Sequence, residues 1–67
     1  MDWIALEAMQ KRKGLTNEDV AKKLGIDPAT YYRKKRGETD FYRKEVQTLR
    51  KILDLSAKDF DDIFFGD

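Results

Sequence analysis

Apolar residues recur three and four positions apart in five stretches, and polar capping residues or glycines separate them. In the first stretch Leu6 and Met9, with Trp3 one turn earlier, predict a helix from Asp2, a capping residue, to about Lys13. Lys11, Arg12 and Lys13 complement the negative end of that helix, and Gly14 supplies a left-handed cap. Thr16 followed by Asp19 resembles a capping box and opens a second helix, with Val20, Ala21 and Leu24 as its buried stripe and Gly25 as its end. Asp27-Pro28 is the strongest start signal in the chain. The aspartate can accept free first-turn amides, and proline lacks a donor only where none is needed. The third helix runs from there to about Lys35 and stops at Gly37. Thr39 or Asp40 is the expected cap of a fourth helix ending near Leu53, with Val46, Leu49, Ile52 and Leu53 on its apolar face. Ser56 with Asp59 opens a short fifth helix through about Phe65, with Phe60, Ile63 and Phe64 facing inward. The pattern predicts an all-α fold of five helices.

Composition narrows the function classes. Sixty-seven residues leave room for one domain, expected over 1–67, with no separate sensor or cleavage domain. A domain of this size buries only about 60% of its unfolded surface. The chain has no cysteine and no histidine, so no disulfide or thiolate site can support the core, and no cofactor is expected. No apolar run approaches the ~20 residues of a membrane span, and the start lacks a signal-peptide pattern. The expectation is a soluble cytoplasmic protein. The absence of His, Cys and any Gly-rich phosphate loop, in a chain too small for a deep pocket, argues against an enzyme. The net charge is only +1, but it is unevenly distributed. Residues 1–53 carry 13 Lys/Arg against 8 Asp/Glu, whereas residues 54–67 carry one Lys against 5 Asp. A basic body with an acidic end fits a chain that turns one part toward a polyanion.

The spacing between the second and third helices carries the functional signal. Ala21 lies four residues before Gly25, and Tyr31 lies six after it. Alanine allows a close helix crossing, glycine a very short left-handed turn, and Tyr31 an anchor into the core. With Tyr31 inward, Pro28, Ala29, Tyr32 and Arg33 lie on the exposed N-terminal half of the third helix, the part that enters the major groove in a helix-turn-helix. Arg33 can offer two parallel hydrogen bonds to guanine, while Ala29 and the Tyr32 ring can touch a thymine methyl. Candidate phosphate contacts are Lys34, Lys35 and Arg36 beyond them, Arg43 and Lys44 on the next helix, and Arg12 and Lys13 on the first.

The stretch Thr16-Asn17-Glu18-Asp19-Val20-Ala21-Lys22-Lys23-Leu24-Gly25-Ile26-Asp27 resembles the helix-turn-helix of phage repressor and Cro proteins, the lambda-repressor-like type. The resemblance extends from Lys13-Gly14-Leu15 through Gly37 to Leu49, Ile52, Leu53 and Leu55-Ser56, nearly the whole chain. It implies a five-helix domain that binds a near-palindromic operator as a two-fold dimer, a double-stranded DNA-binding transcriptional regulator with a Cro-like repressor role. At the first position of the second helix relatives commonly carry a Gln that contacts phosphate; here Asn17 stands there. Where relatives carry Ser, Thr or Gln readers this chain has Pro28 and Ala29, which shifts discrimination to Tyr32 and Arg33. Many relatives pair an Arg of the first helix with a Glu late in the third. The matching residues here are Gln10 and Lys35, so that pair is expected to be absent and Lys35 free for phosphate.

Two other functions stay open at this point. One is a protein–protein docking module on the same scaffold; the other is an antitoxin or plasmid-control autorepressor. Trp3 and Phe41 are expected to serve packing, and Tyr42 is either a phosphate contact or a surface aromatic. Phe64 and Phe65, neighbours on the last helix, cannot both enter one core. The exposed one suggests a weak homodimer through this end of the chain.

Overall fold

A computed structural model describes residues 1–66. Five helices follow one another, α1 (Trp3–Arg12), α2 (Asn17–Leu24), α3 (Pro28–Lys35), α4 (Arg43–Ile52) and α5 (Ala57–Phe64), and no strand occurs among the described residues. None of the helices is long and apolar enough to cross a membrane.

The start signals act at three of the five helices. Asp2 Oδ1 accepts from the Ala5 N–H at 3.0 Å, and Ser56 Oγ accepts from the Asp59 N–H at 3.1 Å. Thr16 and Asp19 cap one another at the head of α2. Two expectations need correction. Asp27 holds the N-cap position of α3 but makes no side-chain bond there; its backbone carbonyl accepts the Tyr31 N–H at 2.9 Å. The cap of α4 is Tyr42, neither Thr39 nor Asp40. Glu45, at the third position of α4, accepts the Tyr42 N–H at 2.7 Å. The ring of Phe41 packs against Tyr31 and Phe64, holding the incoming strand of chain to the core until that point.

The first four helices share one way of stopping. The residue after each last turn sends its N–H back three residues, and the next sends its N–H back five: Gly14 and Leu15, Gly25 and Ile26, Gly37 and Glu38, Asp54 and Leu55. The first residue of each pair needs a positive φ, and three of the four are glycine. Asp54 takes φ 52° without that freedom, a terminator the apolar pattern did not reveal. Leu15, Ile26 and Leu55 then fold back onto the core.

The core gathers Leu6, Val20, Ala21, Tyr31, Leu49, Leu53, Leu55 and Ile63. α2 packs against α3 and α4, while α1 lies along α5. The Asp2 N–H donates to the Ile63 carbonyl at 2.7 Å, tying the start of the chain to α5.

Candidate nucleic-acid interface

The α2–α3 unit is built around two residues of little or no exposure. Ala21 is buried under α3, and Tyr31 drives its ring into the core from the opposite side of the turn. Gly25, at φ 73°, closes the turn between them. At the head of α2 the Thr16 N–H donates to Asp19 Oδ2 at 2.9 Å, and the Asp19 N–H donates to Thr16 Oγ1 at 3.1 Å. The Thr16 backbone N–H, and then its hydroxyl, hold the Asp19 carboxyl below its ordinary pKa.

With Tyr31 inside, helical geometry sorts the rest of α3. Pro28, Ala29, Tyr32, Arg33 and Arg36 form one exposed stripe. Arg33 makes a loose 3.4 Å contact with the Thr30 hydroxyl, which leaves its guanidinium facing solvent. Tyr32 stands 44% exposed. Arg36 Nη1 donates to Tyr32 Oη at 2.8 Å, and its guanidinium carbon lies 4.5 Å from the centre of the Trp3 ring.

Lys34 and Lys35 follow Tyr31 by three and four residues, and so lie on its side of the helix. Both are buried, which corrects the expectation that they reach phosphate. Lys34 Nζ donates to Glu45 Oε1 at 2.7 Å and sits 3.9 Å over the Tyr42 ring. Lys35 Nζ donates to Asn17 Oδ1 at 2.7 Å and lies 3.6 Å from Glu7 Oε2. An ammonium taken out of water needs such partners, and the chain supplies one set from α4 and another from α1 and α2. The sequence signal for this was the helical offset from Tyr31, which the continuous basic run from Arg33 to Arg36 obscured.

Lys35 belongs to a polar chain through the junction of α1, α2 and α3. Tyr31 Oη donates to Gln10 Oε1 at 2.8 Å, and Gln10 Nε2 donates to Asn17 Oδ1 at 3.0 Å. Gln10 is itself buried, and burial pushes the Tyr31 phenol pKa up, with the Glu7 charge adding to the shift. The exchange of Gln10 and Lys35 for the relatives' pair therefore frees no cation. Glu7, one turn before Gln10, supplies the anion instead, a role that sequence reasoning missed together with that of Glu45. Asn17 is half-buried, with its amide oxygen used twice inside the fold.

The remaining cations are exposed. Arg43 and Lys44 stand on the first turn of α4, and Arg12 and Lys13 at the end of α1. Lys13 leans toward Asp54 on the turn after α4, at 3.7 Å, so the structure does not gather it with the α3 stripe. At the far end Phe64 packs against Phe41 and Phe60, while Phe65 is 74% exposed.

Comparison with curated proteins and with solved structures returns no match. A profile described as helix-turn-helix matches residues 6–60, from within α1 to the first half of α5, and so takes in the α2–α3 unit with its flanking helices. The chain accordingly belongs to the helix-turn-helix family of lambda-repressor and Cro-like type, a family of DNA-binding regulators.

Proposed function

We propose that residues 1–67 form one domain that binds a near-palindromic operator in double-stranded DNA as a dimer, in the manner of a Cro-like phage repressor in the bacterial cytoplasm. The observation that carries this reading is the exposed stripe of α3: Pro28, Ala29, Tyr32 and Arg33 share one face because Tyr31 holds the opposite face in the core. Pro28 and Ala29 have no side-chain hydrogen-bonding groups, so they offer shape and apolar contact, and the thymine methyl suits Ala29. Arg33, which has only a loose internal contact, is the candidate for bidentate contact with guanine.

Phosphate contacts fall to Arg36, Arg43 and Lys44, with Arg12 and Lys13 as outlying cations. Asn17 contributes through its amide NH2, since its oxygen is engaged by Gln10 and Lys35. Exposed Phe65, together with exposed Ile4 and Met1 on the neighbouring α1 end, supports a weak homodimer through the C-terminal helix. A dimer sets two recognition helices about 34–36 Å apart, one turn of DNA. Occupancy of a promoter then excludes polymerase.

The testing experiment selects bound sequences from a random duplex pool at moderate salt. A two-fold symmetric enriched motif supports operator binding and gives the half-site spacing. Absence of enrichment, with only salt-sensitive background, refutes it and points to a helix-turn-helix that docks a protein. Sedimentation that shows a strict monomer both at high concentration and on DNA removes the dimer.

A further inference from the structure

Trp3 stands on the first turn of α1, outside the helix-turn-helix, yet Arg36, the C-cap of the third helix, reaches its ring. The Arg36 guanidinium lies over its ring at 4.5 Å and over the Tyr32 ring at 5.6 Å, and it donates to Tyr32 Oη at 2.8 Å. Tyr32 and Arg36 are one helical turn apart, so a single guanidinium meets the Trp3 ring of α1 and the Tyr32 hydroxyl of α3. We propose that Trp3 is a specificity-determining positioning residue: through Arg36 it fixes the orientation of the Tyr32 side chain on the base-reading face. The proposal rests on the reading of α3 as the recognition helix.

The physical argument has three parts. A tyrosine on the open face of a helix has more than one accessible rotamer. A side chain that occupies the reading position for only part of the time binds more weakly by that fraction. The bond from Arg36, whose guanidinium carbon lies 4.5 Å from the centre of the Trp3 ring, restricts that freedom before DNA arrives. The bond also fixes the chemistry that Tyr32 offers. Its oxygen already accepts from Arg36, so its own O–H proton is left to donate, and the acceptors it suits in the major groove are purine N7, guanine O6 and thymine O4. Arginine is required for this bridge, since a lysine ammonium has neither the flat face to lie on an indole nor the fixed fork of donors.

The test combines sequence selection with a fluorescence measurement on the 67-residue chain. Trp3 is the only tryptophan, so its emission reports the Arg36 contact directly. Arg36→Lys, which keeps the charge, and Tyr32→Phe, which unpins Arg36, are both expected to change that emission in the free protein. In selection and competition binding, Trp3→Leu should lower preference at the same base pair that Tyr32→Phe affects, by about three- to tenfold. The salt slope should change by less than about one, since Arg36 keeps its charge and the other phosphate contacts are untouched. Trp3→Leu added to Tyr32→Phe should cost no further discrimination. Trp3→Phe keeps the packing volume closer to wild type and should give a smaller loss at that same base pair. A wild-type preference retained in Trp3→Leu overturns the proposal, as does uniform weakening on all sequences in proportion to lost folded protein. A wild-type pool with no motif overturns the operator reading and this proposal together, and so is told apart from a wild-type motif that Trp3→Leu leaves intact.

Discussion

Replacement of Glu7 by Gln should destabilise this protein more than replacement of Lys35 by Met, although Lys35 is the more deeply buried of the two. Lys35 has no exposure and holds its ammonium against Asn17 Oδ1 at 2.7 Å and Glu7 Oε2 at 3.6 Å. Two unit charges 3.6 Å apart attract by about 5 kcal/mol at an effective dielectric of 20, and by about 1 kcal/mol in water. The Glu7 side chain is 35% exposed, so solvent reaches it and the net value falls toward the lower figure. Glu7→Gln leaves a buried cation without a charged partner, held by Asn17 Oδ1 and over the Tyr31 ring at 5.4 Å, and the expected loss is about 1–2 kcal/mol. Lys35→Met removes the cation together with its desolvation cost. Asn17 Oδ1 still accepts from Gln10, so no buried oxygen is orphaned, and the net change stays within about 1 kcal/mol of zero. The double variant should recover much of the stability lost in Glu7→Gln alone. Urea unfolding measures all three, and for a domain of this size each 1 kcal/mol moves Tm by about 4–8 °C. A loss above about 2 kcal/mol in Lys35→Met beside a silent Glu7→Gln would refute the reasoning.

Three further outcomes are expected. Arg33→Ala should weaken operator binding by about 1–3 kcal/mol and relax preference at one base pair; equal weakening on every sequence would mean that Arg33 meets only phosphate. Lys44→Ala should weaken binding uniformly and reduce the salt slope by about one, whereas Lys34→Met, whose ammonium is held by Glu45, should leave that slope unchanged in salt titrations of binding. Asp19 has a depressed folded-state pKa, so its contribution is present above the ordinary carboxylate pKa of about 3.9 and is lost as pH falls through the lower folded value. Asp19→Asn should therefore flatten the acid limb of a stability–pH profile, and an unchanged limb would remove the Thr16–Asp19 cap from the explanation.

The local pattern determined the five helices, because caps, glycines and apolar spacing act within a few residues of one another. Asp2, Thr16 and Ser56 cap as their side-chain chemistry dictates, and Gly14, Gly25 and Gly37 turn where only glycine is unstrained. The inward Tyr31, and with it the outward stripe from Pro28 to Arg33, follows from the same local periodicity. What the tertiary structure decided is the fate of the charges. Arg33 and Lys34 are adjacent in the chain, and one faces solvent while the other is held by Glu45 from α4. Lys35 lost its expected role because Glu7 from α1 and Asn17 from α2 converge on it, and a local window contains neither. Tyr42 displaced Thr39 and Asp40 as the α4 cap once Phe41 was seated between Tyr31 and Phe64. Hydrogen bonds across helices and the exclusion of water depend on packing, so a run of like charges reads as one surface in sequence and divides between surface and interior only when the helices meet.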